Sequence, residues 1–260
     1  MKLKDFIKWY EQLVPLELQE DFDNCGIQYA NLESNISKIL ISLDLDEFCI
    51  KKAISGRYDL IFTHHPPLFN PLKNIIEKAN GVDTRLVKAI KEGINVYSSH
   101  TNLDCVEFGV SKALSDKLGL LNVENLRGVN DNNDGFGKIG IIEDTNFYDF
   151  INLLKRKLEL NNVIVYGELN KIIKRVAVLG GSGGHFINDC INKKCDVFIS
   201  SEFKYDQQID ALDNDLILID IGHYESEKYI LEYLKDTINQ RFPQLMVDVN
   251  LLDYPTRKIF

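Results

Sequence analysis

Two adjacent histidines, His64 and His65, follow a short apolar run at residues 60–62 and precede Pro66-Pro67. Proline has no N–H for a ladder, so the run reads as a buried strand that ends at the histidines. Neighbouring side chains on a strand point to opposite faces, so two adjacent imidazoles chelate a single ion poorly. Splayed by a turn, each can instead serve one of two ions held side by side. A lone His-His pair more often belongs to a turn whose rings are satisfied by backbone carbonyls. The other histidines shift that balance, because all five in the chain (His64, His65, His100, His185 and His223) follow predicted strands at their carboxyl ends. His223 and Glu227 are four residues apart where a helix is expected to begin, which puts them on one face of its first turn. A glutamate there can bridge two ions with its two oxygens. Asp104, beyond the strand that ends at Ser98, adds another hard ligand. Imidazole nitrogen with carboxylate oxygen, and no thiolate, suits zinc, iron, manganese, cobalt or nickel in a site whose open positions hold water.

The elements that must carry these residues alternate. Apolar residues at three-and-four spacing predict helices over 3–14, 47–55, 82–91, 110–118, 147–158 and 225–239. Between them, strand-like runs fall at 39–43, 60–62, 94–98, 139–142, 163–166, 175–179, 196–200, 216–221 and 245–251. Such alternation predicts an α/β fold with mostly parallel sheets flanked by helices, and in such sheets ligands gather at the carboxyl ends of strands. A polar stretch rich in Asn, Asp and Gly at 127–137 reads as the boundary between a first domain, 1–127, and a second, 128–260. The run Gly180-Gly181-Ser182-Gly183-Gly184 between a strand and a helix admits two readings with about equal claim. It offers backbone N–H groups to an anion, or it is a tight turn that permits close packing. The segment from Asp21 to Gln28 reads as a capping turn with a glycine hinge.

At 260 residues the chain has ample material for two buried cores. A formal charge of −9 without a basic run argues against a general nucleic-acid surface and points to small molecules, metals or other subunits as partners. Five scattered cysteines without Cys-x-x-Cys spacing argue against a disulfide framework and a cysteine-rich zinc site, and fit reduced thiols in a cytosol. Charges at Lys2, Lys4 and Asp5 stand where a signal peptide needs its apolar core, and no run reaches membrane-spanning length. The expectation is a soluble, cytoplasmic protein.

Four motifs occur in order along the chain: Thr-His-His-Pro at 63–66, His-Thr-Asn-Leu-Asp at 100–104, Gly-Gly-Ser-Gly at 180–183 and Gly-His-Tyr-Glu-Ser-Glu at 222–227. Together they resemble the NGG-interacting factor 3-like family, also described as GTP cyclohydrolase 1 type 2 homologues. The resemblance implies two related α/β domains, a dinuclear metal centre, and a toroidal hexamer built as a trimer of dimers. Carried over by motif, the metal ligands are His64, His65, Asp104, His223 and Glu227, with Glu227 bridging two divalent ions per subunit. Longer relatives carry an inserted PII-like domain, and this chain resembles the compact form without it. It departs from the family at Cys25, where an apolar residue is usual, and at Ser200-Ser201-Glu202 in place of Thr-Gly-Glu or Thr-Gly-Asp. Asp206 stands where a histidine is common.

The resemblance implies a metal-dependent hydrolase acting on a nucleotide or related heterocycle. Two ions lower the pKa of water towards ~7 and neutralise developing charge. His100 then stands as a proton shuttle and Glu202 as base or substrate contact, or both support the ligands from behind. A phosphoesterase or amide hydrolase would use the same ligands. The competing expectation is a non-enzymatic oligomeric metal-binding scaffold or partner-binding protein.

Overall fold

Leu3, Phe6, Ile7 and Tyr10 are all buried on one face of α1 (Leu3–Leu13), as their spacing predicts. The computed structural model describes residues 1–76 and 81–251. After α1 come β1 (Gly26–Tyr29), β2 (Lys38–Ser42), α2 (Glu47–Gly56), β3 (Leu60–Thr63), α3 (Val82–Lys91), β4 (Asn95–Ser98) and the short α4 (Thr101–Cys105). The chain continues through α5 (Val110–Leu118), β5 (Leu121–Gly128), β6 (Gly135–Asn146), α6 (Phe147–Leu158), β7 (Ile164–Tyr166) and β8 (Ile172–Ser182). It ends with α7 (Ile187–Asn192), β9 (Val197–Ser201), α8 (Tyr205–Asp213), β10 (Ile217–Asp220), α9 (His223–Glu227), α10 (Tyr229–Arg241) and β11 (Met246–Asn250).

Two compact units result. One is Met1–Leu103 with the segment that begins at Leu231, and the other is Asp104–Ile230. The expected division at 127/128 is therefore corrected on two counts. The polar stretch at 127–137 is the turn of the β5–β6 hairpin, inside the second unit. The end of the chain returns to the first unit, where β11 pairs in parallel with β2. Turn-rich composition marks a reversal of the chain equally well whether it lies between domains or within one.

In the first unit the sheet order is β1-β4-β3-β2-β11, parallel except for β1 against β4. Ile39, Leu40 and Ile41 of β2 are fully buried, as a strand covered on both faces requires. Cys49, Ile50, Ala53, Leu86 and Ala89, from α2 and α3, pack with Leu40, Ile61 and Val96. An aromatic layer forms the other packing group, in which Tyr10 meets Phe62 edge-on at 4.9 Å and Trp9 meets Phe242 at 4.9 Å.

In the second unit the order is β5-β6-β8-β9-β10-β7. Only β8–β9 and β9–β10 are parallel, so this sheet is mixed where the alternating pattern predicts mostly parallel strands. The difference arises at its margins, where the β5–β6 hairpin adds one side and β7 the other. The buried cluster that joins Leu114, Phe150 and Leu154 to Val176, Ile199 and Ile219 is one core. A second joins Ile187, Cys190 and Ala211 to Phe198 and Leu218. Asn146 caps α6 by accepting from the Asp149 N–H at 3.0 Å. Among the described residues no helix is long and apolar enough to cross a membrane.

Phe150 is 2 % exposed and Tyr148, on the same helix, is 64 % exposed. Phe150→Ala is expected to cost about 3–5 kcal/mol through lost contact and a residual cavity. At roughly 2–4 °C per kcal/mol for a chain of this size, thermal denaturation should fall by about 10 °C. Tyr148→Ser should stay within about 0.5 kcal/mol of the parent.

Candidate metal centre

Three parallel strands of the first unit end level with one another, since Ser42 pairs with Thr63 and Thr63 with Ser98. The residues that follow are thereby delivered together. The His64 N–H donates to Ser42 O at 3.1 Å, the His65 N–H to Leu43 O at 2.9 Å and the Ser99 N–H to Thr63 O at 3.0 Å, which carries the ladder one step beyond the strands. The His64 and His65 rings lie 4.9 Å apart, and the His100 ring lies 5.1 and 5.4 Å from them. One donor atom from each of the three falls within 4.8 Å of the others. The paired histidines thus converge with His100, where a strand would have turned them to opposite faces, because both lie past the last residue of β3.

Each ring is held through Nδ1. His64 Nδ1 is 2.8 Å from Ser99 O, an acceptor only, so the proton sits on Nδ1 and Nε2 carries the lone pair, the end that could hold an ion. His65 Nδ1 is 3.0 Å from Asp44 Oδ1, and His100 Nδ1 is 3.0 Å from Asp23 Oδ1. Asp23 also accepts from the Thr101 N–H at 3.0 Å, from the Thr101 hydroxyl and from the Cys25 thiol. Burial works to raise this carboxyl, but the hydrogen bonds from His100 and Thr101 outweigh it and hold the group well below the usual carboxylate range. Burial pushes the Cys25 thiol up to about 12, so it stays protonated and supplies no thiolate. Behind His64, the buried Tyr10 hydroxyl donates to Ser99 Oγ at 2.8 Å, and Ser99 Oγ to Asn102 Oδ1 at 3.0 Å.

The second unit repeats the device at the carboxyl ends of β8, β9 and β10, where Ser182 pairs with Ser201 and Ser200 with Asp220. His223 opens α9, and its Nε2 lies 3.1 Å from Glu227 Oε1 one turn later, as the spacing predicts. Its Nδ1 lies 3.1 Å from Glu202 Oε1. Glu227 is only 3 % exposed. Asp220 ties the two loops together, accepting from the Glu202 N–H at 3.0 Å and the Gly222 N–H at 2.8 Å. Glu202 itself adopts φ of 60°, a left-handed conformation that a glutamate takes only when its surroundings enforce it. The glycine run serves close packing. At Gly181, φ is +74°, and a Cβ there would stand 2.6 Å from Glu227 Oε1. Its carbonyl accepts from Ser200 Oγ and Ser201 Oγ at 2.8 and 2.6 Å, and its N–H donates to Ser226 Oγ at 2.9 Å.

Of the residues singled out by sequence, His64, His65 and His100 form one group, and His223, Glu227 and Glu202 another. Asp104 stands half-buried on α4. His185 is exposed on the turn after β8, outside both groups, and Asp206 is exposed in the first turn of α8. Sequence reasoning missed Asp23, Asp44 and Asp220. Asp44 and Asp220 lie next to the ends of predicted strands, a signal that was available, while Asp23 sits in a polar loop that looks like any capping turn. The donor set fits a divalent ion of borderline hardness, with imidazoles oriented by carboxylate or carbonyl partners and a buried glutamate beside one of them.

The model of the Duf34/NIF3 (NGG1p interacting factor 3) family matches residues 1–257. A Clostridium perfringens protein called GTP cyclohydrolase 1 type 2 homolog is 34 % identical over 243 residues, covering 93 % of this chain and 92 % of its own length. Reduced HcgD from Methanocaldococcus jannaschii has 31 % identity and a TM-score of 0.81, with 98 % of each chain covered. The crystal structure of a Bacillus cereus protein related to NIF3 superposes with a TM-score of 0.89 over 100 % of this chain and 99 % of that one, at 21 % identity.

The depressed Asp23 carboxyl has a pH consequence. Its contribution to stability is fully present above the unfolded carboxylate value of about 3.9 and is lost as pH falls through the lower folded value. In chelator-treated protein, the stability gap between the parent and Asp23→Asn should be constant at neutral pH and shrink progressively below about pH 4. Urea titrations at several pH values measure it.

Proposed function

The chain belongs to the Duf34/NIF3 family, and we propose that its two histidine groups serve a dinuclear divalent-metal centre that hydrolyses a nucleotide or related heterocycle. The observation that carries this reading is the anchoring of all four imidazoles through Nδ1, which aims Nε2 as the ligand atom. On this reading His64, His65, Asp104, His223 and Glu227 would hold the ions, with Glu227 as the ligand they would share. Divalent ions in such a site acidify water and neutralise charge that develops on the substrate.

The protein's own groups then have distinct tasks. Asp23 holds the His100 ring by its Nδ1, which leaves Nε2 as the atom to carry a proton to or from the reacting atoms. Glu202 spends one oxygen on His223 Nδ1, so its task is to orient that ligand. Gly181 leaves room for the Glu227 carboxylate against the strand end. The proposal extends to self-assembly as a hexamer, supported by Tyr205, Ile209 and Leu212, which are exposed along one side of α8.

Metal analysis by mass spectrometry tests the ligand set. His64→Ala and His65→Ala should each lower the metal-to-protein ratio while leaving the protein folded. Glu227→Gln should deplete metal more than Asp104→Asn, because a bridging carboxylate would serve both ions and its charge would offset their mutual repulsion. His100→Ala should retain metal and lose turnover in a screen of nucleotides, phosphoesters and cyclic amides. Metal loss in that variant would make His100 a ligand instead, as its ring distances also permit. Fully loaded protein without turnover in the whole screen rejects the hydrolase and leaves the metal-binding scaffold. Light scattering should give a mass well above the monomer, and a concentration-independent monomer would reject assembly.

A further inference from the structure

Two loops of the first unit meet beside the His64, His65 and His100 group. The side chain of Asn24 donates to Leu68 O at 2.7 Å, and the Leu68 N–H donates to Gln28 Oε1 at 3.2 Å. Gln28 is 8 % exposed, and its amide donates back to Asn24 O at 2.8 Å, so the loops at 21–25 and 66–72 are stapled by a buried side chain. The staple sets the rings of Phe22 and Phe69 with centroids 6.1 Å apart and planes tilted by 51°. Both rings remain substantially exposed, Phe22 at 63 % and Phe69 at 43 %. With Asp23, Asn24, Leu68 and Leu72 they line a cleft of about 390 Å³. The cleft lies beside the histidines, for the Phe69 ring is 6.3 Å from the His100 ring and Asp23 belongs both to the cleft lining and to the partners of His100 Nδ1.

We propose that this cleft is a stacking subsite for a planar aromatic heterocycle, which it delivers to the His100 side of the metal centre. The inference deepens the proposed function and rests on the substrate meeting metal at these histidines. Three features of the lining select the ligand class. Exposed aromatic faces at a fixed tilt reward a flat π-system that covers one ring and meets the edge of the other. The volume suits a ring system of nucleobase size. Among the described residues the lining carries no cation to hold a phosphate, and the Asp23 side chain, fully buried and already accepting from His100 and Thr101, adds only repulsion. A phosphorylated substrate would then lie with its heterocycle in the cleft and its phosphates elsewhere.

Calorimetry on the full-length, metal-loaded protein tests this with two probes, guanosine monophosphate and ribose 5-phosphate, which differ by the base. The parent should bind the base-containing probe at least about tenfold more tightly. Phe69→Ala and Phe22→Ala should each erode that preference by roughly 5- to 100-fold. Phe69→Trp should keep it, and the metal-to-protein ratio should not change in any of them. Phe69→Leu serves if the alanine variant does not fold. Equal affinity of the parent for both probes, equal weakening of both by the variants, or a fall in oligomeric mass with the preference intact would each overturn the subsite. Preference without turnover rejects the hydrolase alone, and turnover without preference rejects the subsite alone.

Discussion

Four imidazoles in this protein are fastened by the same ring nitrogen, Nδ1. His64 uses a backbone carbonyl, and His65, His100 and His223 use carboxylates at 3.0–3.1 Å. A histidine ring with a free Nδ1 samples two tautomers and several rotamers, and only a fraction of that ensemble can bind a cation. Fixing Nδ1 selects one tautomer and one ring orientation in advance. The remainder of each unit can be understood as what is needed to hold those partners still.

Parallel pairing does most of that holding. Strands with fully buried side chains on both faces resist slipping, because a shift would break the close fit of every side chain against its neighbours. Ile39–Ile41 and Val197–Ile199 are such runs. Once register is fixed, the strand ends are level, and Asp44, His64 and Ser99 in one unit, or Glu202 and His223 in the other, emerge at the same edge. Local strain is then tolerated where it serves placement: Glu202 keeps its left-handed backbone because Asp220 receives its N–H.

Much of this was legible in the residues. Periodicity located α3, α5 and α6 with the bounds the structure gives them, and His223 and Glu227 share a helical face as four-residue spacing requires. What stayed hidden was long-range. Asp23 is separated by 77 residues from the ring it orients, and nothing local distinguishes it from Asp21. β11 is an ordinary short strand whose partner, β2, lies more than 200 residues earlier. A glycine run looks alike whether it offers N–H groups to an anion or gives way to a buried carboxylate, and only the position of Glu227 decides between them.

That distant pairing also imposes an order on biosynthesis. A growing chain presents β2 first, yet the strand that covers its outer edge follows more than 200 residues later. Until then β2 offers a row of unpaired N–H and C=O groups, flanked by Ile39, Leu40 and Ile41, to any other extended chain. The second unit contains all of its own strands within Asp104–Ile230 and has no such wait. Vectorial synthesis would therefore complete the sheet of the second unit before the first sheet receives its edge strand.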